Sequence, residues 1–155
     1  MRSRQARTPV ATHGFTLIEV LVALVVMSVG MLGIAALYLE GLRAGRTAIY
    51  RTTAVNLAAD MADRIRANQQ AGNAYAGTGP GSDESCVNGD EDCTPEQLAS
   101  DDWYSWTRQI DAQLPEGAGA EIVVAAAAAP VYTITLQWPE IGQTEPASYS
   151  LSLQP

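Results

Sequence analysis

Twenty consecutive residues near the start of the chain, from Val20 to Leu39, carry no charged side chain. A helix of that length rises about 30 Å, which matches the hydrocarbon core of a lipid bilayer. The alternative is a buried helix of a globular core, but a chain of 155 residues has little protein with which to surround a fully apolar helix. We therefore expect residues 15–39 to be the transmembrane half of a longer helix.

The residues before this segment are polar and basic and show no hydrophobic periodicity. Arg2, Arg4 and Arg7 fall within residues 1–14, and the apolar stretch follows that range instead of lying inside it. An ordinary secretory signal has its apolar stretch before the cleavage site and small residues in an A-x-A pattern at the site. Residues 1–14 are therefore predicted to be a leader of a different kind, which is cleaved from the mature chain.

After Glu40 the sequence changes from fully apolar to one-sided. Apolar residues recur every three or four positions, as on one face of an α-helix. These residues are Tyr50, Ala54, Leu57, Met61 and Ile65. Asp60 and Arg64 lie four residues apart, in the order that favours an ion pair on a helix. We predict one helix from about Phe15 to about Gln70, with residues 40–70 as its amphipathic, soluble half.

Residues 71–155 are acidic and turn-rich and are predicted to form a globular head. The segment from Gly72 to Asp92 holds five glycines and is expected to be a loop. A second helix should begin at Thr94-Pro95-Glu96-Gln97, because this sequence offers a capping threonine, proline at the first helical position and a capping-box glutamine. Apolar residues then follow at helical spacing, and Pro115 and Gly117 end the helix. These apolar residues are Trp103, Trp106, Ile110 and Leu114.

The last forty residues favour β-strands. Glu121 to Ala127 is β-branched and then alanine-rich, Val131 to Trp138 alternates, and Tyr149 to Leu153 alternates again. An antiparallel sheet of about three to four strands with one apolar face needs a cover, which the Tyr50 to Ile65 stripe and the second helix can supply. The predicted fold class is α+β, with a long amino-terminal helix packed on a small antiparallel sheet.

Two cysteines, Cys86 and Cys93, lie in the predicted loop with six residues between them. Two ligands without a nearby histidine are too few for a structural zinc site, and redox-active pairs usually have CxxC spacing and neighbouring cations. A disulfide is the preferred interpretation and indicates an oxidising compartment. Basic residues flank the apolar run on both sides, so charge leaves the orientation nearly undecided. The disulfide favours a cytoplasmic amino terminus and a periplasmic head.

Eight acidic residues and no basic residue lie between Asp83 and Asp102. Clustered carboxylates suit calcium, but the spacing of an EF-hand is absent, so a solvated acidic loop that faces a partner subunit is the preferred interpretation. Trp103 and Trp106 are more typical of a core than of a ligand-stacking site, although both alternatives stay open.

The composition argues against catalysis and against nucleic-acid binding. The formal net charge is −8 and the chain has no lysine, whereas nucleic-acid binding needs clustered cations. The only histidine, His13, lies in the predicted leader, and no nucleophile lies near a candidate base in the sequence. We expect a protein that is not an enzyme and that uses no metal and no cofactor.

The string GFTLIEV, from Gly14 to Val20, joins the leader to the apolar run. It resembles the class III signal of type IV pilins and of type II secretion pseudopilins. The resemblance implies that a prepilin peptidase cleaves between Gly14 and Phe15 and then methylates the new amino terminus of Phe15. Glu19 is the only charged residue between that site and Glu40, and a carboxylate in hydrocarbon is usually paired or functional.

In the pilin family, the glutamate that matches Glu19 pairs with the amino terminus of a neighbouring subunit and sets the register between subunits. The alternative is an interfacial glutamate whose carboxylate reaches the lipid headgroups. The segment from Leu57 to Asn68, the cysteine-containing loop and the segment from Asp102 to Trp106 also resemble PilV-type minor pilins.

This second resemblance implies a minor pilin of a priming or tip complex that supports pilus biogenesis, twitching motility and adhesion. Its implied partners are the prepilin peptidase, other minor pilins, the major pilin, the inner-membrane assembly platform and a tip adhesin. The implied location is a single pass through the inner membrane and later the pilus on the cell surface. The alternatives are a minor pseudopilin of a type II secretion system and a tip module for adhesion or ligand binding.

Overall fold

The computed structural model describes residues 14–87, 92–125 and 130–155. The described chain holds two α-helices, a 3₁₀ segment and three strands. They are α1 (Leu17–Ala67), the 3₁₀ segment (Gln69–Tyr75), α2 (Pro95–Gln113), β1 (Gly119–Ala125), β2 (Val131–Trp138) and β3 (Ala147–Leu153). The α+β prediction is confirmed: a long amino-terminal helix, a short second helix and an antiparallel sheet. The chain divides into two units between Leu42 and Arg43.

In the first unit, α1 exposes every side chain. All residues from Gly14 to Leu42 are exposed, including large apolar ones such as Leu37 at 76%. A helix satisfies its backbone donors and acceptors internally, so such a segment can enter lipid without unpaired peptide groups. Within the described residues, α1 is the one helix long and apolar enough to cross a membrane.

In the second unit, the remainder of α1 is one-sided, as predicted. Its buried residues are Ala54, Leu57, Ala58, Met61, Ala62 and Ile65. Tyr50, the first member of the predicted stripe, is half-buried against the same core. Ala58 and Ala62 were not part of the predicted stripe; their small side chains fill the face between the larger residues.

The second helix, α2, begins where its capping residues predict. The Thr94 hydroxyl accepts a hydrogen bond from the backbone N–H of Gln97, and the Gln97 side chain accepts one from the backbone N–H of Thr94. Trp103 and Trp106 are buried, with ring centroids 5.3 Å apart in an edge-to-face arrangement. The indole Nε1 of Trp106 donates to the backbone carbonyl of Leu57 at 2.9 Å, which fixes α2 against α1. The core interpretation of both tryptophans is therefore confirmed.

The sheet is antiparallel with the order β1-β2-β3. The register aligns Ile122, Ile134 and Leu151 across the three strands. The central strand buries every second residue, as its alternation predicts: Tyr132, Ile134, Leu136 and Trp138. The described residues contain three strands, the lower of the two numbers expected. The predicted first strand continued to Ala127, but residues 126–129 lie outside the described residues.

The prediction that the chain becomes a loop at Gly72 is wrong for its first part. The 3₁₀ segment runs through to Tyr75 and changes direction at Gly72, whose φ of +52° favours glycine. Tyr75 is fully buried, and Gly77 pairs with Ile122 in an isolated β-bridge at the edge of β1. The glycine-rich sequence has no periodicity, so the one large side chain that anchors this segment in the core was not recognised.

Farther along, the same connection lies very close to α2. Gly81 has a φ of +73°, and a Cβ at this position would lie 2.2 Å from the carbonyl oxygen of Ser100. The backbone N–H of Ser82 donates to the Ser100 hydroxyl at 3.0 Å. Only glycine allows this close approach, which places the following cysteine loop beside the start of α2.

Candidate functional site

The predicted cleavage site lies where the chain enters α1. Residues 14–16 are not helical, and both Gly14 and Phe15 are exposed, Phe15 at 85%. Nothing lies within 4 Å of the position that a Cβ on Gly14 would occupy. A peptidase needs an accessible, non-helical bond, and the Gly14–Phe15 bond has both properties.

The predicted registration residue, Glu19, lies in the first turn of α1. The backbone N–H of Thr16 donates to Glu19 Oε2 at 3.4 Å, and the backbone N–H of Glu19 donates to Thr16 Oγ1 at 3.3 Å. This is a capping box at the start of α1. The interpretation of the sequence missed this role, although the Thr-x-x-Glu pattern was present as a signal.

Glu19 also stands at the edge of a wholly apolar exposed surface. From Val20 to Leu39 the helix has no charged residue, and its large side chains are at least half exposed. The carboxylate of Glu19, at the edge of this surface, can therefore form a charge-assisted contact with a cation. Its long capping hydrogen bonds leave acceptor capacity for such a contact.

The two cysteines form a disulfide, as predicted, with 5.7 Å between the Cα atoms of Cys86 and Cys93. Cys93 directly precedes the capping residue Thr94, so the bond connects the loop to the start of α2. The backbone N–H of Glu84, on the other side of the loop, donates to Asp101 Oδ1 at 2.9 Å.

A polar network joins α1, the 3₁₀ segment and α2. The guanidinium of Arg64 contacts Asp60 and Asp102, each at 2.9 Å. The hydroxyl of Tyr75 donates to Asp102 Oδ2 at 2.6 Å. The amide of Asn68 donates to the carbonyl oxygen of Pro95 at 2.8 Å. Of these contacts, only the pair formed by Asp60 and Arg64 was predicted.

Three of the eight acids, Glu96, Asp101 and Asp102, lie on α2 and not in a loop, and the last two are buried, which corrects that part of the prediction. Asp101 and Asp102 lie on α2 and are 7% and 6% exposed, because helical periodicity turns them toward the glycine-rich connection and α1. Asp90 and Glu91 lie outside the described residues. Among the described residues, no group of three or more acidic, histidine or cysteine side chains could hold a metal ion.

The network also shifts two ionisation equilibria. Burial and then the hydrogen bond to Asp102 raise the pKa of Tyr75 above its ordinary value. For Arg64, burial lowers the pKa, but the hydrogen bonds and charges of Asp102 and Asp60 outweigh it and raise the pKa. Both shifts favour the protonated groups that the network uses, so the arrangement stabilises the head.

Comparisons with known families agree with this arrangement. A family model described as the prokaryotic N-terminal methylation motif matches residues 11–35, and one described as type IV pilin Tt1218 matches residues 36–104. The two matches run without a gap from residue 11 to residue 104. Searches of curated proteins and of solved structures found no significant match. With its methylation motif, exposed apolar helix and small antiparallel sheet, the chain belongs to the type IV pilin family, whose members are structural subunits.

Proposed function

We propose that this pilin is a minor subunit that primes assembly of a type IV pilus, at or near the tip of the filament. In this role it supports pilus biogenesis, twitching motility and adhesion. The observation that carries the proposal is the wholly exposed apolar half of α1 behind a single carboxylate, Glu19, on a chain with the methylation motif. Such a surface is soluble in lipid before assembly and can pack against other apolar helices afterwards.

Processing at the amino terminus is the first step of this proposal. A prepilin peptidase cleaves the Gly14–Phe15 bond and methylates the new amino terminus of Phe15. The exposed, non-helical bond supports this step, because the peptidase can reach it without unwinding α1. Glycine before the bond presents no side chain to obstruct the enzyme.

Registration by Glu19 is the second step. Its carboxylate pairs with the methylated amino terminus of Phe15 in a neighbouring subunit. Both charged groups are then desolvated together. Pairing with an opposite charge offsets the free-energy cost of placing a carboxylate among apolar helices. The capping box supports this step, because it holds Glu19 at a fixed place at the start of the helix.

The disulfide supports the membrane arrangement of this proposal. The leader, residues 1–14, lies in the cytoplasm, and residues 15–39 cross the inner membrane once. The amphipathic residues 40–70 and the head, residues 71–155, lie in the periplasm until the subunit enters the pilus on the cell surface. The Cys86–Cys93 bond supports this orientation, since such bonds persist in oxidising compartments.

The minor role is supported by resemblance in the second half of the matched region. The segments from Leu57 to Asn68 and from Asp102 to Trp106 resemble PilV-type minor pilins. The first lies within the pilin match at residues 36–104, and the second begins within it. The partners in this role are other minor pilins, the major pilin, the inner-membrane assembly platform and a tip adhesin. They contact the exposed surface of α1 and the outside of the head.

Surface piliation of a deletion strain tests the proposal. Sheared pili are quantified from the deletion strain and after complementation with the wild-type gene or with Gly14→Val, whose branched side chain obstructs the cleavage site. We expect few pili in the deletion strain, recovery with the wild-type gene and no recovery with Gly14→Val. An immunoblot should show the uncleaved variant as the larger species.

Normal piliation in the deletion strain would overturn the priming role. If the same strain then failed to secrete folded exoproteins, the chain would instead be a minor pseudopilin of a type II secretion system. The two outcomes require only one deletion and two assays, so they separate the two functions directly.

A further inference from the structure

The outward face of the sheet contains a hollow that the pilin functions above do not use. Its volume is about 460 Å³, and its lining includes Gly119 and Glu121 of β1, Thr135 and Gln137 of β2, and the two prolines at the ends of the β2–β3 connection. A volume of this size is in the range of small-molecule binding sites, about 300–1,000 Å³.

Gly119, which has no side chain, forms the floor of the hollow. Gly119 lies opposite Gln137 in the antiparallel register, and its position on the strand points outward like that of Glu121. Nothing lies within 4 Å of the place that a Cβ on Gly119 would occupy, and its φ is not in the left-handed region. Neither backbone conformation nor packing therefore requires glycine here. Glycine also weakens a strand, so the hollow has a cost in stability that a binding role would explain.

The groups around the hollow define what it can bind. Glu121 supplies two acceptor oxygens, Gln137 supplies both donors and an acceptor, and Thr135 supplies a hydroxyl already positioned by its contact with Ser150 at 3.0 Å. Within the described part of the chain, no hydrogen bond engages the side chains of Glu121 or Gln137. The prolines, Pro139 and Pro146, add apolar ring surface at one end.

This chemistry favours a neutral, polyhydroxylated ligand. Sugar hydroxyls both donate and accept, so they can satisfy a carboxylate, an amide and a hydroxyl at the same time. An anionic ligand is disfavoured because Glu121 is the one charged residue among the described residues that line the hollow, and the chain carries a formal net charge of −8. A peptide is disfavoured because peptide grooves use apolar pockets for alternate side chains, and the apolar side chains among the described lining residues are those of Ala120 and the two prolines.

We propose that this hollow at the β1–β2 end of the sheet is a binding site for a short neutral oligosaccharide. It adds a ligand-binding function to the head that is independent of the proposed priming function. Loss of saccharide binding need not reduce piliation, and a failure of the priming proposal would leave the hollow unchanged.

The test uses the full-length chain purified in an amine-oxide detergent, because sugar-headed detergents would compete for the site. Lactose, N-acetyllactosamine, cellotriose and maltotriose are titrated and followed by saturation-transfer NMR, with sialyllactose as the charged counterpart of lactose. We expect at least one neutral saccharide to bind with a dissociation constant at or below about 1 mM, and sialyllactose to bind more weakly than lactose.

Gly119→Tyr is the decisive variant, because its ring fills the hollow while a tyrosine suits a strand. Binding should weaken at least about tenfold, which corresponds to about 1.4 kcal/mol. Val123→Tyr is the matched control, since Val123 is exposed on the same face of β1 but does not line the hollow. Its binding should equal that of the wild type.

Gln137→Ala provides a second variant in case Gly119→Tyr perturbs the fold, which calorimetric melting of each variant would detect. It removes one donor–acceptor group from the wall and should weaken binding by a smaller factor. The proposal is overturned if no neutral saccharide binds to the wild type at about 10 mM, or if folded Gly119→Tyr binds as well as the wild type. Binding of an extended decapeptide in place of every saccharide would also overturn it.

Discussion

The two parts of α1 have similar helical structure but opposite surroundings. Before Leu42 the apolar side chains are all exposed, whereas after Arg43 Ala54, Ala58 and Met61 are 0% exposed. The difference shows that an apolar sequence does not by itself define a core. The head supplies its own cover from α2 and the sheet, while the first unit leaves its apolar surface for molecules outside the chain. Stability and assembly should therefore respond to different substitutions.

Glu19→Gln should have the largest effect of these substitutions, and the effect should be on assembly, not on the stability of the head. Glutamine can keep the capping box but removes the charge, so an intersubunit ion pair is lost while the start of the helix is preserved. Loss of one member of a buried ion pair costs about 3–5 kcal/mol, and recovery of the subunit in sheared pili should fall about a hundredfold or more. Immunoblots of pilus and membrane fractions would measure this ratio.

Glu96→Gln is the matched control, because Glu96 is an exposed acid in the first turn of α2. It should change neither assembly nor the melting of the head. Equal incorporation of Glu19→Gln and the wild type would mean that the charge of Glu19 has no role in registration.

Trp106→Ala should have the largest effect on the stability of the head. The side chain is fully buried and its Nε1 donates to the Leu57 carbonyl, so truncation leaves a cavity between α1 and α2. The expected loss is about 3–5 kcal/mol in urea unfolding of the detergent-solubilised chain. Leu32→Ala, in the exposed apolar part of α1, should leave this transition unchanged; a comparable loss there would show that the two regions unfold together.

The substitution of glycine by alanine should change stability in opposite directions in the two regions. Gly81→Ala places a Cβ against the Ser100 carbonyl at a positive φ, and we expect the head to lose about 2–4 kcal/mol. Gly41→Ala meets no neighbour and lies within α1, so it should stabilise the helix by about 1 kcal/mol. Scanning calorimetry of the two variants would compare them, and a stabilised Gly81→Ala would contradict the close contact with α2.

Tyr75→Phe should have a small effect near neutral pH, a loss of about 1–2 kcal/mol, because Asp102 loses one donor but keeps Arg64. The raised pKa of Tyr75 predicts a further difference in alkaline solution. Above about pH 10 an unfolded tyrosine loses its proton while the folded one keeps it, so stability declines with a slope of up to about 1.4 kcal/mol per pH unit. Below that pH this contribution is complete.

Urea unfolding at pH 8 to 11 would measure the slope, which should be shallower in Tyr75→Phe. Tyr38→Phe is the matched control, since Tyr38 is exposed in the apolar part of α1. If the two phenylalanine variants had the same pH profile, the buried hydroxyl of Tyr75 would not be the origin of the alkaline loss.

The elements that were predicted correctly have local signals. The start of α2 is encoded by Thr94, Pro95 and Gln97 within four residues, and β2 is encoded by the alternation from Val131 to Trp138. The buried stripe of α1 repeats every three or four residues. In each case the interactions that decide the structure connect residues close together in the chain.

The elements that were missed depend on distant contacts. Tyr75 meets Asp102 across 27 positions, and Arg64 meets the same carboxylate across 38. Without these partners, Asp102 is one more acid in an acidic stretch and Tyr75 is one aromatic residue among glycines. The capping role of Glu19 is a different case: its signal was local, but a charged residue beside an apolar run favoured the interpretation of a role between subunits.

The edge-to-face arrangement of Trp103 and Trp106 gives the chain an internal optical reporter. All three tryptophans, including Trp138, are buried in the head, and the exposed part of α1 before Leu42 contains none. Tryptophan fluorescence from the intact protein therefore originates in the head core, whether the chain is in a micelle, a bilayer or a filament. A shift of the emission maximum to longer wavelengths would indicate water around the indoles. Polymerisation through the apolar helix would leave the emission maximum unchanged.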